Sequence, residues 1–139
     1  MLFFASTPAV AHEAGDHEKD APAVKYRVGV MMSQGGNAMA IGAMLQGKLP
    51  QTQNLARHAQ GIAAGARNAL SAFEPKVPGG HAKDKVWSEW KDFAARLNKL
   101  AADADALAAA AAQDPAKAMA LVKPVFDSCS GCHDIYQTK

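Results

Sequence analysis

Residues 86–111 read VWSEWKDFAARLNKLAADADALAAAA, and their spacing decides the fold class. Val86, Trp90, Phe93, Leu97, Leu100, Ala104, Leu107 and Ala111 recur at alternating steps of four and three, which lines one face of an α-helix. Upstream, Glu74 to Lys83 (EPKVPGGHAK) is a loop by its prolines and paired glycines. A second helix precedes it, from about Gln51 to Phe73, with Leu55, Ala59, Ile62, Ala66, Leu70 and Phe73 on one face. The first helix starts near Val24, with Val24, Val28, Met31, Gly35, Ala38, Gly42 and Leu45 as its seam, and ends at Lys48-Leu49-Pro50. Downstream, Asp114-Pro115 is an N-cap followed by proline at the first helical position. The fourth helix carries Ala118, Val122, Val125, Cys129, Cys132 and Tyr136 on or beside one face, and Pro124 inside it predicts a kink or a local break. No strand pattern competes. Four amphipathic helices joined by short connections predict an all-α fold, an antiparallel four-helix bundle.

The chain has 139 residues, enough for one domain with a real core and too few for two ordinary ones. Its net charge is +2, without a basic block or interleaved aromatics, which excludes a nucleic-acid footprint. No stretch is long enough for a transmembrane helix. Residues 1–11 resemble the remnant of an export signal: Leu2 to Ala5 are mostly apolar, and Ala9-Val10-Ala11 fits the small-x-small pattern before a cleavage site. The positive n-region is missing and the apolar run is short. Residues 12–23 are rich in charge and aperiodic, which predicts a flexible tail in which His12 and His17 are solvated rather than metal-bound. Residues 24–139 form the bundle domain.

The first helix departs from an ordinary seam. Gly35, Ala38 and Gly42 stand where large apolar residues usually fill the interior, and each glycine weakens a helix by about 1 kcal/mol against alanine. Such a surface accommodates either a flat cofactor or a closely packed helix, within the chain or from a second subunit.

Both cysteines lie in Ser128–Tyr136, SCSGCHDIY, as Cys-Ser-Gly-Cys-His. This is the C-x-x-C-H attachment motif for haem c. Residues three apart lie nearly on one helix face, about 4.5 Å along the axis, so two thiols can reach the two vinyl groups of one porphyrin. The adjacent His133 can then serve as the proximal iron ligand. A structural zinc site would want four ligands, and His58 and His81 are single residues without matching spacing. A thiol–disulfide oxidoreductase would set its C-x-x-C near a βαβ pattern, and none occurs.

A C-x-x-C-H on the last helix of a four-helix bundle resembles the class II cytochromes c, which include cytochrome c'. The likeness spans about Lys25 to Tyr136. KYR (Lys25 to Arg27) is similar to the opening of that family's first helix, AIGAMLQGKLP (Ala40 to Pro50) to the end of that helix and its turn, and VWSEW (Val86 to Trp90) to the start of the third. The resemblance implies that the first helix crosses the distal side of the haem. Cytochrome c' proper has an apolar, non-ligating residue there, which leaves iron five-coordinate and open to small gases; a low-spin branch has a methionine that binds iron. Counting from either flanking motif, the position falls on Met31, with Met32, rotated by about 100°, as the fallback ligand. Against both stands methionine's ordinary role as a flexible core filler. The resemblance also implies a propionate contact for Arg27 and haem packing for Trp87. One departure is that Gln137 stands where the family often has an arginine.

A Met/His pair raises the haem potential and closes the site to substrates. The expectation is therefore a periplasmic electron carrier serving redox partner proteins, with one haem c, no enzymatic activity, and a monomeric or homodimeric state. The alternative is a five-coordinate site that binds nitric oxide or carbon monoxide for sequestration or sensing.

Overall fold

The computed structural model describes residues 19–47 and 53–139. Five helices occur among them: α1 (Pro22–Gly47), α2 (Gln53–Phe73), the single turn α3 (Lys85–Ser88), α4 (Trp90–Gln113) and α5 (Pro115–Tyr136). No strand occurs among the described residues, only one isolated bridge between Ala82 and Gln137. The four long helices make the four-helix bundle. The proposed signal remnant, most of the tail and the Lys48-Leu49-Pro50 stop lie outside the described residues.

Packing follows an open order. α1 lies on α2, α2 on α4, and α4 on α5, whereas α1 and α5 are not extensively packed on each other. α2 therefore has two neighbours to serve, and its buried face is broad and built from small residues: Ala59, Ala63, Gly65, Ala66, Ala69 and Ala72 beside Leu55, Ile62 and Phe73. Ile62 is fully buried, which contributes roughly 1.5–3 kcal/mol relative to exposure.

The expected seam of α4 is largely what the helix buries, through Phe93, Leu97, Leu100, Ala104 and Leu107. Its upstream part differs. Glu89 leaves helical geometry at φ −118°, ψ 37°, so Val86 and Trp87 belong to the separate turn α3. That offset accompanies a long-range bond in which the Trp87 indole N–H donates to the Phe73 carbonyl at 2.7 Å. Asp114 caps α5 as expected, accepting from the amides of Ala116 and Lys117 at 3.1 and 3.2 Å. Of the kink or local break expected at Pro124, the break does not occur: α5 runs unbroken to Tyr136. Proline removes the donor to the carbonyl of Ala120; both residues are exposed, so that carbonyl is open to solvent in place of the lost bond.

The seam of α1 needs correction. The residues it buries are Val24, Arg27, Val30, Gln34 and Ile41; Val28, Met31, Ala38 and Leu45 are half-buried, and Gly35 is exposed. A Cβ added at Gly35 or Gly42 would meet nothing within 4 Å, so close packing within the chain does not explain these glycines. The tight contacts of α1 are made instead by Gln34 and Asn37 against two glycines of α2, Gly65 and Gly61.

The loop between α2 and α3 ties the ends of the bundle together. Gly79 and Gly80 have φ of 125° and 61°, a region costly for other residues, and the chain there turns against Val24. The Lys83 amide donates to the Tyr136 carbonyl at 2.9 Å, and the Thr138 amide to the His81 carbonyl at 2.8 Å. The loop thus meets both the start of α1 and the end of α5.

Candidate haem-attachment site

Cys129 and Cys132 lie three apart in the last turns of α5, and both are half-buried. Cys129 packs against the cluster formed by Ile41, Ile62, Leu107 and Val125; Cys132 packs against a more aromatic one containing Val30, Phe73, Phe93 and Tyr136. Burial raises both thiol pKa values, that of Cys132 to about 11. The nearby Arg96 guanidinium pulls the Cys132 value the other way, and Asp92 and Cys129 push it further up. His133 follows with its side exposed, yet enough protein surrounds the ring to lower its pKa, opposed by Asp134. The neutral imidazole so favoured is the form that binds a metal. Two thiols on one helix face, with a neutral imidazole beside them, fit a covalently attached haem c.

The turn carrying His133 is held from two sides. The Gln137 amide donates back to the His133 carbonyl at 3.0 Å. Tyr136 is buried, packs edge-on to Phe93 with centroids 5.2 Å apart, and donates its hydroxyl to Asp92 at 2.6 Å. Asp92 also accepts from Arg96 Nε at 2.7 Å, so α4 and α5 are joined beside Cys132 by a phenol–carboxylate–guanidinium chain.

On α1, Met31 packs against the same aromatic cluster as Cys132. Its neighbour Met32 is half-buried but belongs to neither apolar cluster, and Met39 is 67% exposed. The Gln34 amide nitrogen donates to Met31 Sδ at 3.6 Å. Trp87 packs against that cluster too, so Met31, Trp87 and Cys132 are brought to one end of the bundle from three separate elements.

Arg27 reaches from α1 to the loop between α2 and α3. It is buried to 2% exposure, and its two terminal nitrogens donate to the carbonyls of Val77 and Gly79 at 2.7 and 2.6 Å. The guanidinium carbon sits 5.5 Å from the centre of the Phe73 ring and 5.2 Å from that of Trp87. Desolvation lowers its pKa while Asp20 opposes the shift. The two bonds to the loop use two of the five guanidinium N–H groups. His58, weighed above as a metal ligand, instead pairs with Asn37 Oδ1 at 2.9 Å. Among the described residues no three His, Cys, Asp or Glu side chains come together as a metal cluster.

Gln34 and the Tyr136–Asp92 pair escaped the sequence reading. The signal was present for Gln34: glycines four apart on α2, Gly61 and Gly65, face polar residues three apart on α1.

A family model described as Cytochrome C' matches residues 22–137. The chain belongs to the cytochrome c' family. It is 34% identical over 118 residues to a cytochrome c' from Pararhodospirillum photometricum, covering 82% of this chain and 94% of that one. It is 30% identical over 118 residues to cytochrome c-556 from Agrobacterium tumefaciens (strain II Chrys), covering 84% and 97%. Among solved structures it is similar to a nitric oxide complex of a mutant cytochrome c prime from Alcaligenes xylosoxidans, with TM-score 0.75, 27% identity, and coverage of 84% and 94%. Membership brings with it one covalently attached c-type haem. No helix among the described residues is long and apolar enough to cross a membrane.

Proposed function

We propose that the chain holds one haem c through Cys129 and Cys132, with His133 as proximal ligand, and binds nitric oxide or carbon monoxide on the side facing α1. The observation that carries this reading is the match to cytochrome c' along nearly the whole described chain, supported by the likeness to a nitric oxide complex. When bound, the haem supplies an iron that takes such diatomic molecules. The protein's part is to fix the porphyrin through two thioethers, orient the imidazole through the anchored last turn of α5, and surround the site with apolar side chains. Export to the periplasm accompanies this reading.

The six-coordinate electron carrier expected from Met31 takes second place, and one observation favours it. Met31, rather than Met32, shares the cluster of Cys132, and its sulfur is held by a buried amide. The cytochrome c-556 relative is compatible with either reading. Both readings place Met31 on the distal side, as a cover in the first and an iron ligand in the second.

The optical spectrum of the matured protein separates them. Gas binding as the resting function predicts a high-spin ferric spectrum and ready carbon monoxide uptake on reduction. A low-spin ferric spectrum with the thioether-to-iron band, abolished by Met31→Leu, would replace it with the electron carrier.

A further inference from the structure

Gln34 is one of two polar residues that the described chain buries, at 6% exposure. It sits three residues after Met31 on α1, a spacing at which helical side chains meet, and its amide nitrogen donates to the Met31 sulfur. A thioether is a weak acceptor, so water would serve this amide better. The glutamine is nonetheless kept inside by its fit to α2. A Cβ at Gly65 would stand 2.3 Å from Gln34 Cγ and 2.9 Å from its Cδ, so the side chain occupies room that only glycine leaves. One turn further on, Asn37 fills the room above Gly61 in the same way and bonds to His58. The register between α1 and α2 thus fixes where the Gln34 amide lies.

We propose that Gln34 is a positioning residue for Met31: its buried amide holds the thioether and thereby sets how readily a diatomic molecule gains the distal side. The inference rests on Met31 lying on that side, as both readings above have it. Gln34 acts on the sulfur alone, through a hydrogen bond that must be broken before the methionine side chain swings away. Gly65 acts one step further back, by leaving the glutamine its place.

The test uses the matured haem protein and measures the rate of carbon monoxide binding after reduction. Gln34→Leu keeps the bulk and removes the donor; Gly65→Ala keeps the donor and displaces it. Each should speed binding by about two- to tenfold, the range that the net worth of one hydrogen bond corresponds to. Both effects should vanish in a Met31→Leu background. Equal acceleration in that background, or no acceleration where Met31→Leu alone changes the rate, overturns the proposal. If Met31→Leu changes neither spectrum nor rate, the placement of Met31 itself fails and the role of Gln34 falls with it, a result distinct from the former two. Should Gly65→Ala not retain haem, Gln34→Leu decides alone.

Discussion

Chemistry at Cys129 and Cys132 is set by two opposing influences on each sulfur. Burial raises the pKa of both thiols, that of Cys132 to about 11. The charge of Arg96 works against burial at Cys132 only. On the attachment proposed above, the covalent link depends on these two atoms, so its loss should be stepwise. Replacing either cysteine with serine should leave one thioether, and the reduced haem band should shift accordingly. The double replacement should release all haem into acid acetone. Haem retained by the double variant would show that attachment lies elsewhere. This motif was legible in the sequence because everything it requires, a spacing of three and an adjacent imidazole, is local to one helix turn.

Each helix owes its existence to sequence period, but the place of its ends depends on neighbours. α4 and α5 are joined near the proximal turn by Tyr136, whose hydroxyl donates to Asp92. The Asp92 pKa is lowered, first by that bond and then by Arg96, while the Tyr136 pKa is raised by burial and by Asp92. Both shifts describe one state, a neutral phenol donating to an ionised carboxylate. A carboxylate whose folded pKa is depressed adds stability above its unfolded pKa, and loses it as pH falls through the folded value. Tyr136→Phe keeps the ring against Phe93 and deletes the donor. Its destabilisation, read as the shift in denaturant midpoint, should be full near pH 7 and shrink below the ordinary carboxylate range of about 4. A penalty equal at both pH values would mean that the hydroxyl does not act through Asp92. Sequence spacing put Tyr136 on the helix face; its partner on α4 was invisible, because the two residues lie in different helices whose rotation only packing fixes.

Over the whole molecule, one buried cation connects parts that the bundle alone would leave loose. Arg27 reaches from α1 to two carbonyls of the loop, and that loop pairs through Lys83 and His81 with residues 136 and 138. Hydrogen bonds to a charged donor contribute about 1.5–3 kcal/mol each. Part of this is recovered by water when Arg27 is lost, since Gly79 is exposed. Arg27→Met should therefore destabilise the protein by about 2 kcal/mol, within the range of two such bonds partly replaced by water. Amide exchange around Lys83 and Thr138 should accelerate as well. Unchanged exchange there would show that the loop is held without the guanidinium.

Helix content, loop positions, the cap at Asp114 and the haem-attachment motif follow from the sequence by itself, since each rests on interactions spanning a few residues. The face that α1 turns inward did not. Its residues are apolar or small on several sides, so the four-three pattern fits more than one rotation, and only contact with α2 chose among them. That contact includes two polar side chains seated on two glycines, a match of shapes between distant segments that no single-helix period encodes. The same docking buries Arg27 and Gln34 and brings Met31 to the apolar cluster against which Cys132 packs.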